Sequence, residues 1–218
     1  MHKSQIATIC LSMVALLSLT SCAPSKPVEL DKKPLVIKRI SFDPKGDMTE
    51  IPLEKDEGAV TVWSFGCKTD FDFEIVEKTF LSKTDYMVTI KIKSCRITLT
   101  APVTVYLPEN ADKKLIEHED GHVEICRRIY DGAEKHALIA ASQAIGKQYQ
   151  ASGVSVEAAC KQAVEDASLA ISQTYHDRAS ASVNRISEIY DALDRDEPGP
   201  AATLVEKAFT RQLETRAQ

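Results

Sequence analysis

The chain changes character at Pro108-Glu109-Asn110, and that switch constrains its fold more than any other feature. Upstream, from Leu35 to Leu107, the sequence is strand-like. Leu35-Val36-Ile37, Ala59-Val60-Thr61-Val62-Trp63 and Phe71-Asp72-Phe73-Glu74-Ile75 are short β-rich runs between polar turns. Tyr86, Val88, Ile90 and Ile92 alternate with Met87, Thr89 and Lys91, the period of a half-buried strand. Ile97 to Leu107 reads as a further strand or pair, interrupted by Pro102. From Asp112 onward the chain is helical in character, with Asn110 the expected N-cap. Helical stretches of about 112–150 and 155–194 divide around Ser152-Gly153, and Gly132 is a place for the first to kink or end. Asp196-Glu197-Pro198-Gly199-Pro200 closes the second, leaving a short amphipathic C-terminal helix over 200–216. Strands followed by helices predict an α+β fold: an antiparallel, β-rich N-terminal half, then long helices.

The first helical stretch carries His118-Glu119-Asp120-Gly121-His122, a full HExxH. A helix places residues i and i+4 on one face, about 6 Å apart along its axis. Two imidazoles so placed can bind one zinc ion at roughly 2.0–2.1 Å each. Glu119, beside the first histidine, is then the candidate general base for a water activated at the metal. Of the five histidines in the chain, two fall in this motif, which argues against coincidence.

Residues 1–21 read as an export leader. Lys3 gives a charged start, and Ile6 to Leu19 is an apolar run too short for a membrane span. It ends Leu19-Thr20-Ser21-Cys22, which resembles a bacterial lipobox. That resemblance implies a lipidated Cys22 as the first mature residue, tethering a water-soluble domain to a membrane. Ala23 after the cysteine implies an outer-membrane lipoprotein facing the periplasm or the surface. Pro- and Lys-rich residues 22–34 are the expected tether, and 35–218 a single domain. Export agrees with the cysteines: Cys67, Cys95, Cys126 and Cys160 remain, an even number, which suggests two disulfides. Cys67–Cys95 in the strand region and Cys126–Cys160 in the helical region are favoured, each stabilising by about 3–4 kcal/mol. Net charge is −5, and −6 once Lys3 leaves with the leader. Charges of both signs are interspersed without a basic stripe, which excludes nucleic acid as a partner.

HExxH supplies two ligands and a base; a working zinc site needs a third protein ligand and an open position. His136 faces the same way as His118 but lies about 27 Å along a continuous helix, so it contributes only if Gly132 breaks that helix. The third ligand is therefore expected from the second helical stretch. An uninterrupted antiparallel hairpin turning near Ser152 makes His176 the nearest imidazole. A Cys126–Cys160 disulfide would instead bring Glu165 level with the metal. Tyr175-His176-Asp177 gathers several useful groups, which favours His176, and Tyr175 is either an oxyanion donor or a packing residue.

Thr104-Val105-Tyr106-Leu107-Pro108, followed by Glu117-His118-Glu119-Asp120-Gly121-His122-Val123-Glu124-Ile125, resembles a bacterial family of exported proteins. That family is a domain of unknown function placed among the zincin-like metallopeptidases. The resemblance implies a zincin-like fold, with Val103–Leu107 as an edge strand that pairs with an extended substrate. The family's late motif, Tyr-Asp-x-x-Thr-x-His-Gly, corresponds to Tyr175–Ser182, where its late histidine is missing. Either His176 substitutes for it or the site is inactive. The expectation is a lipid-anchored envelope zinc metallopeptidase acting on a peptide or protein, with His118, His122 and His176 on Zn2+ and Glu119 as base. The rival is a non-catalytic envelope lipoprotein that binds a partner protein on the same scaffold.

Overall fold

The computed structural model describes residues 27–54, 57–82 and 84–217. The expected leader and the lipidation site Cys22 lie outside them. The fold is α+β, with mixed sheets built mainly by the N-terminal half and helices packed against them. In chain order the strands are β1 (Val28–Lys32), β2 (Val36–Phe42), β3 (Val60–Trp63), β4 (Gly66–Ser82), β5 (Asp85–Thr100) and β6 (Pro102–Pro108). Then come α1 (Lys113–Ala144), β7 (Gln148–Gly153), α2 (Val156–Arg178), α3 (Ser180–Asp196) and α4 (Ala201–Ala217).

Strand β5 organises the larger sheet. Antiparallel β4 takes one edge along its whole length, while β1 and β7 share the other. A bulge makes both halves of β5 face inward. Asp72 opposes Ser94 and Phe73 opposes Ile92, so Lys93 is an extra residue. The parity therefore switches there, from Val88, Ile90 and Ile92 to Cys95, Ile97 and Leu99, all of them buried. The first trio packs under α2 with Ala159, Ala163 and Ala167, and the second joins the core beneath α1, α3 and α4.

Several sequence expectations are corrected. Val28–Lys32, expected as tether, is a strand pairing in parallel with Cys95–Leu99 of β5. Strand β2 also runs parallel to β6, so the sheets are mixed rather than antiparallel. Residues 148–153, expected as the end of a helix to about 150 and the break after it, form a strand that pairs with Tyr86–Lys91. The N-cap of α1 is Asp112, whose carboxylate accepts from the Leu115 amide at 2.8 Å, not Asn110. Gly132 does not interrupt α1.

The two expected disulfides are absent; Cys67, Cys95, Cys126 and Cys160 are free thiols. In register Cys67 opposes Leu99 and Cys95 opposes Phe71. Four residues of ladder, about 13 Å, separate them, beyond the roughly 7 Å that a disulfide spans between Cα atoms. Cys126 lies in the core cluster beneath α1, α3 and α4, whereas Cys160 packs against the separate cluster beneath α2.

Candidate metal centre

The buried stripe of α1 runs Glu119, His122, Cys126, Tyr130, Ala133, Ala137, Ala140, Ala144, with steps of three and four residues. The HExxH residues are thus the N-terminal end of the helix's core-facing stripe. They meet β3 on one side and α3 on the other, in a cleft lined by Gly58, Thr61, Trp63, Leu115, Asp191 and Arg195.

Three donors converge there: His118, His122 and Asp191 form a group that could hold a metal ion. His122 Nε2 lies 3.3 Å from His118 Nε2 and 3.0 Å from Asp191 Oδ1, and His118 Nε2 lies 3.4 Å from that oxygen. A tetrahedral zinc with bonds of roughly 2.0–2.1 Å separates its ligand atoms by about 3.3–3.4 Å. The triangle therefore has the dimensions of a three-ligand face. Asp191 Oδ1 is buried against both ring nitrogens, as suits an atom aimed at a common centre.

Surrounding groups fix this arrangement. Asp194 Oδ2 lies 3.1 Å from His118 Nδ1, so that nitrogen carries the proton and Nε2 presents its lone pair inward. Trp63 stacks on His122 with ring centroids 6.1 Å apart, and its indole N–H donates to Asn184 at 2.9 Å. Tyr190 stands 5.1 Å from both imidazoles and donates to the His118 carbonyl at 3.2 Å. Glu119, 3 % exposed, accepts from Thr61 Oγ1 through Oε2 at 2.6 Å. Without a metal, Asp191 beside it raises the His118 imidazole's pKa, against the burial that lowers it. Burial alone would raise the Asp191 carboxyl, but the facing His118 and His122 rings outweigh it and hold the group below the usual carboxylate range.

No protein-family model, curated protein or solved structure matches the chain. The geometry of the site therefore stands by itself.

His118, Glu119 and His122 line one cleft, and the acceptor that converges on the two imidazoles is Asp191 rather than the expected His176 or Glu165. His176 is exposed near the end of α2, beside Asp177, and is not among the three converging donors. Glu165 is an exposed partner of Lys161. Tyr175 is a core residue whose hydroxyl is buried with no hydrogen-bond partner, remote from the cleft lining. The residue that sequence reasoning missed is Asp191. The long second helix breaks at Ala179, and α3 departs from the straight hairpin on which His176 was placed. A signal existed in Tyr190-Asp191-Ala192-Leu193-Asp194, which sets two carboxylates on one helical face.

The expected substrate edge is also corrected. Val103–Leu107 lies in β6, the middle strand between β2 and β3. The strand that ends this sheet beside the cleft is β3.

Proposed function

We propose that this chain is a zinc-dependent metallopeptidase of the cell envelope, in which His118, His122 and Asp191 hold the metal. The observation that carries the reading is the triangle of donor atoms, with edges of 3.0 to 3.4 Å, formed by two imidazoles of α1 and a carboxylate of α3 beside the buried glutamate of α1. Two imidazoles and a carboxylate are a borderline donor set that suits zinc, and a carboxylate-backed histidine is the usual support for it. Zinc bound there would supply Lewis acidity and a water of lowered pKa.

The chain's own residues supply the rest. Thr61 fixes one oxygen of Glu119, leaving Oε1 to take a proton from the attacking water and return it to the departing nitrogen. Thr61 lies on β3, so the strand that orients the base also borders the cleft. An extended peptide pairing with the open edge of β3 would lie across the histidines, held by its backbone with little demand on its sequence. The leader and Cys22 support an envelope location by their resemblance to lipoproteins, and no described helix is long and apolar enough to cross a membrane.

Metal analysis of the purified protein tests this, alongside Asp191→Ala and Glu119→Gln. One equivalent of zinc, lost in Asp191→Ala, with peptide hydrolysis lost in Glu119→Gln, is the expected result. Absence of zinc overturns the metal reading. Zinc with no dependence of hydrolysis on Glu119 supports the non-catalytic rival.

A further inference from the structure

Exposed large hydrophobics gather at one end of the molecule. Phe80 and Leu81, near the end of β4, are 60 % and 53 % exposed, and Val154 after β7 is 74 % exposed. Register places them together: Phe80 opposes Tyr86 on β5, and Tyr86 opposes Gly153 on β7, immediately before Val154. Phe80 and Tyr86 meet edge to face at 5.2 Å. Three strands thus end in one apolar rim. Further along the same arm Phe73, Ile75 and Val76 are also exposed.

The N-terminal end of β1 faces the same end of the molecule. Strand β1 runs parallel to β5, with Val28 opposite Cys95, so its N-terminal end points the way the hairpin points. The rim at Tyr86 lies nine residues beyond Cys95, about 30 Å at ~3.3 Å per residue. Cys22 stands five positions before Pro27, a reach of at most about 18 Å. A lipid anchor at Cys22 could therefore not draw level with the rim, and the hairpin end would project at least about 10 Å past it. Apolar side chains of interfacial elements enter a bilayer to a depth of about 5–10 Å.

We propose that the hairpin end carrying Phe80 and Leu81, with Val154 beside them, docks on the lipid surface that a lipidated Cys22 would enter. The inference rests on the envelope reading but not on the metal. Glu77, Lys78 and Asp85 nearby carry both signs, so docking is by apolar insertion rather than by charge. A second copy pairing along β4 is disfavoured by the register shifts at Asp72/Phe73, Ile75/Glu77 and Phe80/Ser82, which roughen that edge.

The test places a fluorescent indole at the rim. Full chain carrying Phe80→Trp is reconstituted into phosphatidylethanolamine–phosphatidylglycerol vesicles with brominated acyl chains. Leu213→Trp, equally exposed on α4, is the control. Flotation of the wild type reports the anchor separately. The expected result is flotation, with the indole added at position 80 blue-shifted and losing most of its emission to bromine, while the one at 213 is unaffected. Flotation without quenching at 80 overturns the proposal, as does equal quenching at both positions. A blue shift that depends on protein concentration but not on bromine assigns the rim to a second copy and overturns it too. Failure to float removes the anchor and the docking together.

Discussion

The hydroxyl of Tyr190 occupies the space that a side chain at position 121 would need: a Cβ built on Gly121 would lie 2.3 Å from it. The glycine of the HExxH segment is therefore the seat of Tyr190, and Asp191 follows directly on the same helix. Contact at Gly121 sets how closely α3 approaches α1, and so where the third donor falls.

Gly121→Ala should push Tyr190 outward and carry Asp191 away from the imidazoles. Overpacking of this kind costs about 1–3 kcal/mol, and zinc affinity should fall by at least tenfold. Thermal melting and zinc titration calorimetry measure the two effects; unchanged affinity would show that Asp191 is placed by something else.

Asp194 supports His118 rather than facing the metal position, and His176 does neither. Asp194→Asn should weaken zinc binding by about 10–100-fold. His176→Ala should leave it unchanged. A competition assay with a zinc-sensitive dye distinguishes them, and a large loss in His176→Ala would restore the sequence expectation.

Glu119→Gln should lower kcat by about 10²–10⁴-fold while zinc content stays the same. Thr61→Val removes the hydrogen bond that orients Glu119 and should give a smaller loss, in kcat more than in KM. Steady-state kinetics beside metal analysis checks both.

The metal-stripped protein should show a particular pH dependence. His118 has a raised pKa, so its contribution is complete below the ordinary imidazole value of 6.5 and disappears as pH rises through the raised one. Asp191 has a lowered pKa, so its contribution is complete above the ordinary 3.8 and disappears as pH falls through the lowered one. Both operate fully between about pH 4 and 6.5. The melting temperature without metal should therefore fall from pH 6 to pH 8, whereas zinc-loaded protein should gain over the same range as protons cease to compete.

The thiols offer an independent check on the fold. Burial pushes the Cys67 thiol up to about 11, and the Cys95 and Cys126 thiols to about 12. Cys160 is less enclosed. Iodoacetamide should label Cys160 first in the native protein and all four after denaturation without reductant. Peptide mapping that finds a Cys126–Cys160 bridge would require α1 and α2 to pack differently.

The order of strands and helices was legible because hydrophobic period and proline placement are local properties. The HExxH pair was legible for the same reason: one turn of helix fixes its geometry. What escaped was set by tertiary contacts. Nothing local marks Val28–Lys32 as a strand, since its pairing with Cys95–Leu99 crosses most of the N-terminal half. Gln148–Gly153 belongs to a strand only because Tyr86–Lys91 offers an edge. The helix break at Ala179 carries no proline or glycine, and without it Asp191 could not be brought opposite His122. Third ligands come from afar, and distance along the chain conceals them.

The unbroken α1 has a mechanical corollary. At one end it bears the imidazoles; at the other, Gly146 just past its end donates to the Ile92 carbonyl, while Tyr130 between them bonds the Leu99 carbonyl. Helix and strand thus lie side by side like two bars bolted at separate points. That makes the helix a strut of fixed length, holding the cleft a constant stand-off from the apolar rim, on the order of 60 Å. If the cleft acts on peptides and the rim rests on lipid, as proposed, targets would be selected by their height above the surface as much as by their chemistry.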